Sequence, residues 1–445
     1  MSFAFTEPDT VSNLTAVNVT TSSILLHWIR AMGEISYYVV QYDDFSTNIS
    51  TTTELTMINI TNLTPGVQYT FKVFAVVADN KTEGNSSYIS AYTKPDVVKD
   101  LNVTEITTSS LFLNWTEPIG KSSFFKVQWS NNITLNSTTS NTFYNITNLS
   151  PGVNYTILIS AVAADNITEG GAIGRSVYTK PDVVRDLNVI EITTRSLFLN
   201  WTEPIGKKSF FKVQWSNNIT LNSTTSNTFY NITNLSPGVN YTILISAVAA
   251  DNITEGGAIG RSVFTKPDVV KDLNVTEITT SSLFLNWTEP IGKSSFFKVQ
   301  WSNNITLNST TSNTFYNITN LSPGVNYTIL ISAVAADNIT EGGAIGRSVY
   351  TKPDFVRHLN VTEITTSSLF LNWTEPIGKR YFFKVQWSNN ITLNSTTSNT
   401  FYNITNLSPG VNYTILISAV AADNITEGGA IGRSVFTSML QRTLF

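Results

Sequence analysis

The chain repeats itself every 86 residues, and no other property constrains its folding as tightly. Pro-Asp-(Val/Phe)-Val recurs at Pro95, Pro181, Pro267 and Pro353, each 86 residues after the last, and Pro8 opens a more divergent copy 87 residues before Pro95. Residues 95–180 and 267–352 are identical, while the intervening copy differs at a handful of places, among them Ile190 for Thr104 and Arg195 for Ser109. Length alone would divide 445 residues into about three domains of about 150. A constant period overrides that division, because each copy must be one structural unit. The expected units are residues 7–93, 94–179, 180–265, 266–351 and 352–437, with residues 1–6 read as the end of a preceding repeat and 438–445 as a tail.

Within a repeat the apolar residues alternate with polar ones in short runs, which is the period of a strand with one buried face. In the second repeat Leu111, Leu113 and Trp115 share one face, opposite Phe112 and Asn114. Phe125, Val127 and Trp129 form a second inward row, and Tyr155, Ile157, Ile159 and Ala161 a third, with Thr156, Leu158 and Ser160 outward. Glu117-Pro118-Ile119-Gly120 and Ser150-Pro151-Gly152 separate the rows with turn residues. Three inward rows and no helical period predict an all-β chain, with each repeat a two-sheet sandwich.

These residues carry a family resemblance: each repeat resembles a fibronectin type III domain, an immunoglobulin-like β-sandwich. The matching features are the strand tryptophan (Trp28, Trp115, Trp201, Trp287, Trp373), which stands before a Thr-Glu-Pro turn in the last four copies, and the aromatic-x-Val-x-aromatic strand 125–129. A third is Leu-x-Pro-Gly-x-x-Tyr, as in residues 149–155. The resemblance implies that the tryptophans are core residues and that Tyr69, Tyr155, Tyr241, Tyr327 and Tyr413 are tyrosine corners, each bonding back to nearby backbone. The first copy departs at His27-Trp28-Ile29-Arg30, which lacks the Thr-Glu-Pro turn. Phrases such as Val127-Gln128-Trp129 and residues 148–153 are similar to the ectodomain repeats of receptor-type tyrosine phosphatases with long fibronectin arrays, with tenascin-like matrix proteins the nearest rival.

Only 13% of residues are charged, about half the usual share, so solubility must come from elsewhere. Of 47 asparagines, 38 begin Asn-x-Ser/Thr with x not proline. In the second repeat eight of ten do: Asn102, Asn114, Asn132, Asn136, Asn145, Asn148, Asn154 and Asn166. Serine and threonine fill 22 of its 86 positions, so chance would place between two and three of ten in that motif. A preference for turn and strand residues explains the abundance of Asn and Thr but not their phase. N-linked glycans in the secretory pathway are therefore expected at these asparagines and their equivalents, Asn145 and Asn148 competing for space. The outward positions Phe112 and Leu158 would either form a binding stripe along the array or lie beneath such sugars.

Other chemistry finds no support. With no cysteine there is no disulfide, thiolate nucleophile or cysteine-held metal, and with no cysteine nucleophile the phosphatase activity carries over to no residue here. His27 and His358 are too far apart in sequence for a metal or relay cluster. A net charge of -4 without a basic block gives no footprint for nucleic acid; Lys207-Lys208 and Lys379-Arg380 are pairs, read as solvated turns. Gly170-Gly171-Ala172-Ile173-Gly174 reads as a flexible loop, and residues 165–170 lack the alternating ligands of a calcium loop. There is no Arg-Gly-Asp. No catalytic, cofactor or metal site is therefore expected, and no membrane span: no run of about 18 apolar residues is present. Residues 1–8 are not a signal peptide, and both ends read as those of a piece of a longer ectodomain.

The expected molecule is an elongated rod of five sandwiches, about 26 Å per eight-residue strand and about 130 Å or more in all, with a tendency of near-identical neighbours to misassemble. Its expected role is non-catalytic: a glycosylated extracellular or cell-surface spacer that binds a protein ligand, in an adhesion or receptor protein anchored by a single membrane pass. The alternatives are the ectodomain of a receptor phosphatase whose catalytic domain lies outside this chain and a secreted tenascin-like matrix protein.

Overall fold

Thirty-five strands and no helix make up the described part of the chain, which in this computed structural model is residues 6–43, 48–132, 134–304, 306–390 and 392–440. Residues 1–5 of the expected leading remnant and 441–445 of the tail lie outside it. The first repeat contains β1 (Ser12–Val17), β2 (Ser23–Ile29), β3 (Tyr37–Asp43), β4 (Asn48–Thr53), β5 (Met57–Thr61), β6 (Gln68–Val76) and β7 (Ser87–Tyr92). The second contains β8 (Lys99–Thr104), β9 (Leu111–Thr116), β10 (Phe124–Ser130), β11 (Thr134–Thr139), β12 (Phe143–Ile146), β13 (Asn154–Val162) and β14 (Ile173–Tyr178). In the second repeat β8, β9 and β12 form a three-stranded sheet in the order β12-β9-β8, and the other four a sheet in the order β11-β10-β13-β14. All neighbours are antiparallel, and the same pair of sheets recurs in every repeat. The result is five all-β sandwiches in series.

The alternation of side chains decides which face of each sheet is sealed. Leu111, Leu113 and Trp115 of β9 meet Phe125 and Val127 of β10 and Tyr155, Ile157, Ile159 and Ala161 of β13 in one core per repeat. Trp115 sits edge-on to Phe125 at a centroid separation of 5.4 Å, a favoured aromatic geometry. Trp28, Trp201, Trp287 and Trp373 are buried in the same place. Each fully buried aliphatic or aromatic side chain in such a core stabilises by about 1.5–3 kcal/mol over its exposed state.

Two positions differ from the simple alternation. Trp129, expected inward, is only half-buried; it stands at the end of its row and tilts against Tyr144 at 6.3 Å. Ser160 does face outward, yet it is 1% exposed, because the loop after β13 folds over it. Leu158 is 40% exposed.

The turn between β12 and β13 is held from two sides. The Tyr155 hydroxyl accepts a bond from Ser150 N–H at 3.0 Å. Thr179, fully buried just after β14, accepts from Val153 N–H at 3.0 Å and donates to the Ser150 carbonyl at 2.7 Å. Tyr69, Tyr241, Tyr327 and Tyr413 repeat the first contact. Thr93, Thr265, Thr351 and Thr437 repeat the second.

Substitution in one repeat should shift one of five calorimetric transitions of the intact chain. Trp115→Ala is expected to cost about 3–5 kcal/mol and Tyr155→Phe about 1 kcal/mol. Equal shifts from the two would contradict the arrangement.

Candidate functional site

Among the described residues no group of three or more His, Asp or Glu is placed to hold a metal. What the fold builds instead is three repeated features: outward sequons, a braced loop and a joint between neighbours.

Of the second repeat's sequon asparagines, Asn102, Asn132, Asn136, Asn145, Asn148, Asn154 and Asn166 are exposed and Asn114 is half-buried on the outer face of β9. Asn148 and Asn166 take left-handed backbone, φ 59° and 63°, which asparagine tolerates better than most residues. Both therefore have a turn role independent of any sugar. Asn145 lies on strand β12 and Asn148 in the turn beyond it.

The loop after β13 is braced by its own carboxylates. Asp165 Oδ1 accepts from Ile167 N–H at 3.0 Å and Thr168 N–H at 2.9 Å, and Oδ2 accepts the Thr168 hydroxyl at 2.6 Å. Burial pushes the Asp165 carboxyl up, but these bonds outweigh it and hold it below the ordinary carboxylate range. Glu169 accepts the Ser160 hydroxyl and pairs with Lys126 Nζ at 2.9 Å. Burial raises its carboxyl too, and the bonds from Ser160 and Lys126 with the lysine charge bring it below its ordinary value. All the carboxylate oxygens named here thus have partners within the chain. The loop is not slack: Gly170 N–H bonds to the Ala161 carbonyl at 2.9 Å, and a Cβ on Gly170 would lie 2.4 Å from the Pro95 carbonyl oxygen. The flexible loop expected from its glycines is corrected to a packed one, the glycine serving close approach. In the first repeat Val39 and Phe74 stand where Lys126 and Ser160 do, leaving Glu83 without that cluster.

The pinned turn at residues 150–152 is where one repeat meets the next. Lys207 N–H of the third repeat bonds to the Pro151 carbonyl at 3.0 Å. The same bond joins Lys121 to Pro65, Lys293 to Pro237 and Lys379 to Pro323. Gly152, at φ +68°, packs so closely that a Cβ would lie 1.7 Å from the Lys207 carbonyl oxygen. The lysine pairs are therefore not simply solvated turns. Lys208 is 14% exposed, pairs with Glu203 at 3.4 Å and lies 4.4 Å over the Phe211 ring. Arg380 engages Glu375 at 2.8 Å and stacks 4.1 Å over Phe383. Lys207 and Lys208 with Asn132 and Asn154 line a cleft of about 320 Å³ between the second and third repeats. Sequence reasoning missed this joint and the roles of Thr179, Lys126 and Glu169. Only the exact recurrence of Lys at 121, 207, 293 and 379, always after the turn glycine, signalled it.

Two outcomes are expected. Gly152→Ala should loosen the second joint, whereas Gly410→Ala, with a similar φ of +67° but facing only Met439 at 3.4 Å, should strain the backbone without touching a joint. Small-angle scattering should show greater interdomain flexibility for the first alone, while both lose about 1 kcal/mol or more. Because the folded-state carboxyls of Asp165 and Glu169 are lowered, their stabilisation is complete above the unfolded range, about pH 4–4.5, and is lost as pH falls through the folded values. Glu169→Gln with Glu255→Gln and Glu341→Gln, whose carboxyls are lowered in the same way, should flatten the acid limb of a stability curve between about pH 5 and 2.

The fibronectin type III domain profile matches residues 9–91, 96–171, 182–257, 268–343 and 354–429. The chain is 35% identical over 439 residues to receptor-type tyrosine-protein phosphatase eta of Gallus gallus, covering 95% of this chain and 31% of that protein. It is 29% identical to receptor-type tyrosine-protein phosphatase H of Homo sapiens, covering 93% of this chain and 38% of that one, and 28% identical to tenascin of Mus musculus, covering 86% and 19%. A solved two-domain fibronectin type III segment of chicken tenascin aligns at 21% identity and a TM-score of 0.31, covering 38% of this chain and 99% of that one. The chain spans about a third of the length of the phosphatases it matches. Five sandwiches with matching sheets, cores and tyrosine corners, each under its own profile match, make this chain a tandem array of the fibronectin type III family, a non-catalytic domain type.

Proposed function

We propose that this chain is a glycosylated array from the extracellular part of a cell-surface adhesion or receptor protein, where it spaces and presents surfaces for a protein ligand. The joint carries the reading. Four consecutive repeat pairs are held by the same backbone bond and the same glycine contact, so the array has a defined spacing rather than that of beads on a slack linker. Outward sequons in every repeat support an oxidising, secretory route, and the small charged fraction is then offset by sugar.

Similarity over most of the chain to two receptor-type phosphatases favours a full-length protein with a single membrane pass and a catalytic domain elsewhere in it. Similarity to tenascin supports the second reading, a secreted matrix protein. No helix among the described residues is long and apolar enough to cross a membrane, so neither reading draws an anchor from this part. Any phosphatase activity belongs to other domains of the full-length protein. The partners are N-linked glycans and a protein ligand; nothing in the charge distribution suits a nucleic acid.

An antibody against the array, applied to intact cells making the full-length protein, should label the surface and stay with it through washing in high salt. Recovery in the medium or in detergent-insoluble matrix would favour the second reading. Labelling only after permeabilisation would defeat both.

A further inference from the structure

In each of the last four repeats one exposed and one half-buried phenylalanine stand side by side on the surface. Phe143 of β12 is 48% exposed, and its ring stacks on that of half-buried Phe112 of β9 at 5.9 Å. The pairs Phe198–Phe229, Phe284–Phe315 and Phe370–Phe401 repeat this at 6.0, 5.9 and 5.8 Å. They lie on the outer face of the three-stranded sheet, away from the core, so packing within the repeat does not account for them.

Their neighbours on that face are sequon asparagines. The register sets Phe112 opposite Asn145 and Phe143 opposite Asn114, with Asn102 opposite Asn114 from the other side. Both strands read Phe-x-Asn-x-Thr, as Phe112-Leu113-Asn114-Trp115-Thr116 and Phe143-Tyr144-Asn145-Ile146-Thr147. Residues two apart on a strand share a face at about 6.7 Å, and directly opposed residues have Cβ atoms about 5 Å apart. Each asparagine is therefore flanked by one ring along its own strand and another across the pair. The first repeat breaks the pattern at every point but one: Leu25 and Met57 replace the rings, His27 replaces Asn114, and only Asn59 remains a sequon.

We propose that this face is a platform for the chain's own sugar, on which the first N-acetylglucosamine of glycans at Asn114 and Asn145, and at their counterparts in the later repeats, packs against the phenylalanine pair. The match is chemical. A pyranose presents a face of C–H groups and an acetamide methyl; an aromatic ring presents an apolar face of negative partial charge that attracts them. Contact removes both from water. The asparagine side chain is short and anchored about 5–7 Å from two rings, so ordering the first sugar costs little reach. The same contact covers an apolar pair on each of four repeats. The inference rests on the glycosylation reading above.

The test uses the full chain secreted from a eukaryotic host, beside the same chain made sugar-free in bacteria, each also as the variant Phe112→Ser, Phe198→Ser, Phe284→Ser and Phe370→Ser. Site-resolved mass spectrometry should find sugar at Asn114 and Asn145. Acetyl methyl signals of the first sugar should be shifted upfield and show nuclear Overhauser contacts to phenylalanine ring protons. The secreted form should melt about 4 °C or more above the bare form in the parent chain, and that gain should shrink by at least half in the variant; other glycans contribute equally to both comparisons and cancel. Occupied sites with no ring contact, or with an undiminished gain, overturn the platform and leave glycosylation standing. Sugar elsewhere but not at Asn114 or Asn145 also overturns it. A secreted chain without sugar anywhere overturns the glycosylation reading itself.

Discussion

The turn at residues 150–152 and its counterparts at Pro65, Pro237 and Pro323 hold the array together. It is gripped by a tyrosine hydroxyl on one side and a buried threonine hydroxyl on the other, the first from β13 and the second from just beyond β14 of the four-stranded sheet. A turn so held cannot drift, and its outward carbonyl and its glycine become a fixed surface for the next repeat. Stability within a repeat and geometry between repeats are in this way one property. The core secures the tyrosine, the tyrosine secures the turn, and the turn secures the neighbour.

Each sandwich divides its surfaces by strand alternation. Inward residues close the core, and the outer faces take two different characters. On the four-stranded sheet, Lys126, Ser160 and Glu169 form a polar brace that binds the loop to the sheet and leaves the carboxylate with partners on both oxygens. On the three-stranded sheet, stacked phenylalanines alternate with sequon asparagines. The first repeat lacks both arrangements while keeping the same sheets, core and joint. Fold and surface are thus separable in this chain: the core requires neither the brace nor the paired rings.

Much of this was legible in residue order. The period, the three inward rows, the buried tryptophans and the turn signals are all local or strictly repeating, and β alternation turns them directly into faces. Trp129 and Ser160 show where that reasoning stops. Alternation assigns a direction to a side chain, but exposure depends on what lies over it, the end of a row at Trp129 and the following loop at Ser160. Lys208 and Arg380 carry no packing signal in residue order, being charged and in a turn; an aromatic ring and a carboxylate beside each give them a packed role.

Order along the chain by itself determined five all-β units, their cores and the positions of 38 sequons, because these follow from period two, period 86 and a three-residue motif. Tertiary structure alone decided which residues meet across distance. It brought Lys126 to Glu169, Pro151 to Lys207 and Phe112 to Phe143, since these contacts join residues 31 to 56 positions apart that meet only once strands have paired and one repeat has docked on the next.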